Sequence, residues 1–234
     1  MQLFYAHELK GDLHTLEEQE SKHIIRVLRM KCGDTIMLTD GAGKMCTGEL
    51  VNEDPRRCEV RIKEVQEDFG KRCFQLHVAI APTKNINRFE WFLEKATEIG
   101  IDEITPLICS RSERKVIKTE RLYKVITAAM KQSVKAYLPL LNEATFFKEF
   151  VTAKHDGQKF IAYVEKGEHP SLKSLYNVPG DATILIGPEG DFSPEEVELA
   201  RENGFDVVSL GNSRLRTETA GVVAVHTLTL MNSE

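Results

Sequence analysis

The hydrophobic rhythm of this 234-residue chain changes near residue 70. Before that point, short β-prone runs at 34–40, 45–51 and 58–65 are divided by turn residues, which predicts a small sheet or barrel. One helix is expected ahead of them over 18–30. Its period places Ile24, Val27 and Leu28 on one face and Lys22, Arg26 and Arg29 on another. Gly41-Ala-Gly-Lys44 lies between two of the strands and lacks phosphate-loop spacing, so it reads as a hairpin turn. Beyond residue 70 apolar runs alternate with amphipathic stretches. Strands are expected at 74–81, 104–109, 160–165, 183–186 and 205–210, and helices at 87–99, 120–134, 194–203 and 217–231. Gly100 closes the first of these helices. Ser193, Pro194 and Glu196 form a capping box with proline at the first helical position, and Asn203-Gly204 ends that helix. Alternation of this kind implies an α/β domain with a parallel sheet and a ligand at its C-terminal edge. Residues 67–72 are the linker candidate, giving expected domains 1–70 and 71–234.

Two of the expected strands run into glycine-bearing loops that each open a helix. One is Ile186-Gly187-Pro-Glu-Gly190, the other Leu210-Gly211-Asn-Ser213-Arg-Leu215-Arg216-Thr217. Adjacent loops of this type present backbone amides and helix N-termini to a polar small molecule. The chain has no G-x-G-x-x-G, which argues against a nicotinamide oxidoreductase. Arg216 stands just before a helix, where a cation opposes the dipole, so it is expected to serve a nearby oxygen, phosphate or carboxylate. Glu218 suits the first helical turn on dipole grounds and equally suits a role toward the ligand. The helix that follows is apolar on more than one face, through Ala220, Val222, Val223, Val225, Leu228, Leu230 and Met231.

The overall charge of −5 conceals a local excess: residues 111–135 hold eight of the 31 basic residues and two of the 36 acidic ones. Attraction to phosphate is local within a Debye length of roughly 8 Å, so an acidic protein with such a belt still binds RNA. Arg111, Arg114, Lys124, Lys131 and Lys135 are the RNA-binding candidates there, with Arg26 and Arg29 in the N-terminal helix. The five cysteines are scattered without C-x-x-C, which reads as reduced thiols in a cytoplasmic protein with no metal site. No apolar run reaches 18 residues and no signal peptide is visible, so no membrane association is expected.

Ile186-Gly-Pro-Glu-Gly-Asp-Phe-Ser193 followed by Leu210-Gly-x-x-x-Leu-Arg-Thr-Glu-Thr-Ala220 closely resembles the RsmE-type ribosomal RNA methyltransferases of the SPOUT class. Upstream, His23-Ile-Ile-Arg-Val-Leu-Arg29, Lys95-Ala-Thr-Glu-Ile-Gly100 and Ser110-Arg-Ser-Glu-Arg114 extend the resemblance over essentially the whole chain. The resemblance implies a PUA-like, RNA-binding β-barrel over 1–70. After it comes a SPOUT-type knotted α/β domain over 71–234, with a C-terminal trefoil knot. It also implies a homodimer and S-adenosyl-L-methionine-dependent methylation of N3 of a uridine in the decoding region of 16S rRNA, with the small ribosomal subunit as partner. On this reading Ile186, Gly187, Gly190, Leu210, Gly211, Ser213, Leu215, Arg216 and Thr217 bind the cofactor, and Arg216 and Glu218 are catalytic. The chain departs from the family pattern at Asp191, commonly glycine, at Ser213-Arg214, often Arg-Ile, and at Lys131-Gln-Ser133, often Glu-Gln-Ser. A SPOUT enzyme acting on a 2′-O-ribose or guanine N1, and a non-catalytic RNA-binding protein, are the alternatives.

Overall fold

The computed structural model describes residues 2–164 and 169–233. It forms two compact units, Met1–Lys71 with Thr127–Leu138, and Arg72–Ile126 with Pro139–Glu234. Strands β1 (Leu3–Tyr5), β2 (Leu13–Thr15), β3 (Thr35–Thr39), β4 (Met45–Asn52) and β5 (Glu59–Gln66) make the sheet of the first unit. The order is β1-β3-β4-β5-β2, antiparallel except for β1 on β3. Alternation turns Ile36, Leu38, Leu50 and Val60 inward onto Phe4 and Ile24. The turn between β3 and β4 is held by Asp40, whose Oδ1 accepts from the amides of Ala42 (2.8 Å) and Lys44 (3.1 Å). It is a hairpin turn, as its spacing suggests.

The N-terminal helix differs from its expected form. Helix α1 (Glu18–Lys22) is followed at once by a π-helical turn over His23–Val27, and Arg29 has left the helix at φ +56°. A π turn carries more residues per revolution than an α turn. The face drawn for Ile24, Val27 and Leu28 is therefore broken: Ile24 is fully buried, whereas Val27 is 68% exposed.

The second unit starts with β6 (Leu76–Ile80), α2 (Ile86–Ile99) and β7 (Glu103–Ile108). Helix α3 (Thr119–Gln132) follows, its last turns belonging to the first unit. Then come β8 (Leu140–Leu141), β9 (Thr145–Phe146), α4 (Phe147–Thr152), β10 (Gln158–Ala162), α5 (Leu172–Leu175) and β11 (Ala182–Ile186). Helix α6 (Pro194–Glu202), β12 (Asp206–Val208) and α7 (Thr217–Met231) complete the chain. The sheet is parallel throughout, in the order β12-β10-β11-β6-β7-β8, with β9 also on β7. Its central strands are buried on both faces, which explains their continuous apolar runs. Helices α2 and α7 pack closely. A Cβ on Gly221 would lie 2.6 Å from Phe92 and 2.8 Å from Ile80.

Most boundaries fall within two residues of their expected positions. The strand expected over 160–165 is β10, which ends at Ala162; Glu165 lies outside the described residues. The strand expected over 205–210 shrinks to β12, leaving Ser209 and Leu210 in the loop. Val134 adopts φ +54° beyond the end of α3. The pairs β8 and β9 and the short helices α4 and α5 have no sequence counterpart, because they are too short to show a period. Among the described residues, no helix is long and apolar enough to cross a membrane.

Candidate cofactor and RNA site

Adjacent strands β12, β10 and β11 end on the same side, and their following loops enclose a cleft of about 670 Å3. One wall is Ile186, Gly187, Pro188, Glu189 and Asp191 after β11; another is Ser209–Leu215 after β12; Ala162–Val164 closes the base after β10. Local hydrogen bonds tie these loops to neighbouring elements. The Glu196 carboxylate, buried at the start of α6, accepts from Ser193 N (2.9 Å), Ser110 N (2.8 Å) and Ser110 Oγ (3.0 Å). The capping box is thus also the anchor of the loop after β7. The Thr217 hydroxyl donates to Gly187 O at 3.0 Å, tying the start of α7 to the β11 loop. Ser209 Oγ accepts from Gly211 N at 3.2 Å and donates to Gly211 O at 3.0 Å. Gly211 has φ +125°, a conformation that any side chain strains.

Asp191 has φ +61°, which accounts for the glycine common here in the family pattern, since aspartate is among the few other residues that tolerate it. Its Oδ1 accepts from Phe192 N (2.8 Å) and its Oδ2 from Val164 N (3.3 Å). The carboxylate therefore links the β11 loop to the end of β10 at the cleft wall.

The expected cofactor residues separate. Ile186, Gly187, Leu210, Gly211, Ser213, Leu215 and Thr217 line the cleft; Gly190 and Arg216 do not. Gly190 faces the aliphatic part of Arg111, and its carbonyl accepts from the Arg111 guanidinium at 2.8 Å. Arg216 is the exposed N-cap of α7 and lines a second cavity of about 570 Å3 together with Glu218. The Glu218 side chain is 9% exposed; its Oε1 lies 3.7 Å from Arg88 Nε, and its Oε2 is buried without a hydrogen-bond partner. Sequence reasoning missed Arg88 and the half-exposed Trp91, which line the same cavity. The argument applied to Arg216 would have found Arg88, a cation in the first turn of α2 that opposes the helix dipole.

The basic candidates are similarly divided. Arg111 donates to Gly190 O and Phe192 O, and Arg114 to Thr83 O (3.1 Å) and Lys84 O (2.7 Å), so both brace loops around the cleft. Lys131 forms an ion pair with Glu20 at 2.5 Å, the two side chains 21% and 12% exposed. Lys124, Arg26 and Arg29 are exposed, while Lys135 is half-buried. Lys131, an RNA-binding candidate in the sequence, is instead held in a sheltered ion pair. Among the described residues, no three His, Cys, Asp or Glu side chains lie close enough to hold a metal ion. Burial raises the Cys109 thiol well above its usual range, so it is not a nucleophile at neutral pH.

The α/β domain that carries this cleft and the five-stranded sheet before it in the chain each match a domain family of RNA methyltransferases. The RNA methyltransferase domain family matches residues 71–229, and the RNA methyltransferase PUA domain family residues 16–63. Ribosomal RNA small subunit methyltransferase E of Synechocystis sp. is 31% identical, over 90% of this chain and 71% of its own length. A protein from Porphyromonas gingivalis described as "probable rRNA-methyltransferase" is 42% identical with a TM-score of 0.91, covering 99% of both chains. Ribosomal RNA small subunit methyltransferase E from Neisseria gonorrhoeae, solved bound to S-adenosyl methionine, is 25% identical with a TM-score of 0.90, covering 99% of this chain and 98% of that one. The chain belongs to the ribosomal RNA small subunit methyltransferase E family.

Proposed function

We propose that the protein transfers a methyl group from S-adenosyl-L-methionine to N3 of a uridine in the decoding region of 16S rRNA. The observation that carries the reading is the cleft between the two glycine loops. Its volume is right for a small-molecule site, and its walls are largely loop backbone with a few polar side chains. The residues fit the cofactor: Ile186 and Leu210 offer apolar surface, the Gly187 and Gly211 backbones allow close approach, and Asp191 and Ser213 supply polar groups. When bound, the cofactor supplies a methyl carbon on a cationic sulfur.

The chain's own part is to hold the acceptor in line and manage its proton. N3 of neutral uracil carries a hydrogen and is a poor nucleophile. Arg216, always charged and rich in donors, is assigned to the carbonyl oxygens over which the anion spreads. The buried Glu218 carboxylate is assigned to the N3 proton. The domains expected at 1–70 and 71–234 divide the work, the first as an RNA-binding barrel and the second as the catalytic SPOUT domain with its C-terminal trefoil knot. Lys124, Arg26 and Arg29 contact rRNA phosphates, and Lys131 holds α3 on Glu20 instead of facing RNA. Two copies pair through α7, and the protein works in the cytoplasm on the small ribosomal subunit. Mass mapping of rRNA nucleosides from cells with and without the gene tests the reading. Loss of one 3-methyluridine is expected; loss of a ribose-methylated nucleoside or of 1-methylguanosine would replace the assigned target atom.

A further inference from the structure

Resting on that reading, we infer that the cavity lined by Arg88, Trp91, Arg214, Leu215, Arg216 and Glu218 receives the target nucleoside, with the Trp91 indole as the surface on which its base stacks. Three features converge on it. Arg214 and Leu215 line both this cavity and the cofactor cleft, so occupants of the two spaces meet across one short loop. Methyl transfer requires that proximity. At about 570 Å3 the cavity is of a size for a nucleotide.

The second feature is Glu218 Oε2. A buried carboxylate oxygen without a donor costs folding free energy, and a group on a ligand is the natural partner. The donor it calls for is a ring N–H. Uracil presents one at N3, whereas cytosine presents a lone pair at the same place and would be repelled. The cavity therefore selects uracil over cytosine with a single carboxylate, while Arg88 balances the charge of Glu218 at 3.7 Å. The third feature is Trp91, the only tryptophan in the chain and 42% exposed on α2. It stands three residues after Arg88 and so shares its helix face. An indole left half in water beside three arginines is a stacking surface for an unpaired base, with phosphate-binding groups at its rim.

Because Trp91 is unique, its fluorescence reports on this cavity alone. The experiment titrates the full-length protein, with S-adenosylhomocysteine bound, with a uridine pentaribonucleotide and a cytidine pentaribonucleotide. Saturable quenching by the uridine pentamer at least tenfold tighter than by the cytidine pentamer is expected, and Glu218→Gln should abolish the preference. Trp91→Ala should lower kcat/KM on small-subunit rRNA roughly 5- to 150-fold, the range for one lost stacking contact, with cofactor Kd unchanged. Trp91→Phe should recover most of that loss. Equal quenching by both pentamers, no quenching, or wild-type turnover in Trp91→Ala overturns the inference. So does Trp91 emission that shifts with protein concentration alone and resists acrylamide, since a second copy would then cover the cavity. A wild-type protein that fails to bind S-adenosylmethionine or to methylate rRNA defeats the proposed function instead.

Discussion

Arg216 shows how little of a residue's role follows from its neighbours in sequence. It caps α7 yet makes no capping bond, and its exposed side chain lines the cavity beside Glu218, not the cleft between the two glycine loops. Arg216→Ala is therefore expected to lower turnover by on the order of 10²–10³, the usual cost of one oxyanion donor, while calorimetric cofactor Kd changes little. Arg216→Lys should recover part of the rate, because an ammonium lacks the planar fork. A parallel rise in Kd would move Arg216 into the cofactor cleft. At the other end of the strands, His77 is mostly buried beside Thr105, 2.8 Å from its hydroxyl, and desolvation lowers its pKa to about 4. The unfolded chain binds a proton near 6.5 that the folded one refuses. The stability that neutral His77 permits is thus complete above pH 6.5 and lost as pH falls toward 4, by on the order of 3 kcal/mol. Urea denaturation at a series of pH values should show that slope, and His77→Asn should flatten it.

Elements reward a different comparison. The π turn at His23–Val27 sends two neighbouring apolar residues to opposite fates, which separates it from a plain amphipathic helix. Ile24→Ala should cost about 2–5 kcal/mol as a buried truncation, and Val27→Thr less than about 0.5 kcal/mol. Equal costs in chemical denaturation would restore the regular helix. Gly221 is the point where α7 closes on Phe92 and Ile80, so an added methyl has no room. Gly221→Ala is expected to lower stability by about 1–3 kcal/mol in spite of alanine's better helix propensity. A higher Tm in that variant would mean that the two helices separate easily.

At the scale of the whole molecule, α7 hides Ala224, Val225 and Leu228 but leaves Leu230 48% exposed. With homodimerisation proposed through this helix, light scattering at micromolar concentration should give twice the 26.5 kDa chain mass, and Leu230→Glu should shift it toward one. A wild-type monomer defeats that proposal. The order of strands and helices, the capping box at Ser193–Glu196 and the two glycine loops were legible along the chain, because local periodicity and turn chemistry are written residue by residue. The family was legible for the same reason, its motifs being contiguous. The π turn, the Lys131–Glu20 pair and the Arg88–Trp91–Glu218 cavity were not, since each depends on residues brought together from separate stretches or on winding that periodicity averages away. Local patterning thus determined which loops line the cleft. Tertiary packing alone decided which charges are spent on bracing those loops, because an arginine or lysine has the same sequence signature whether it meets a carbonyl, a carboxylate or water.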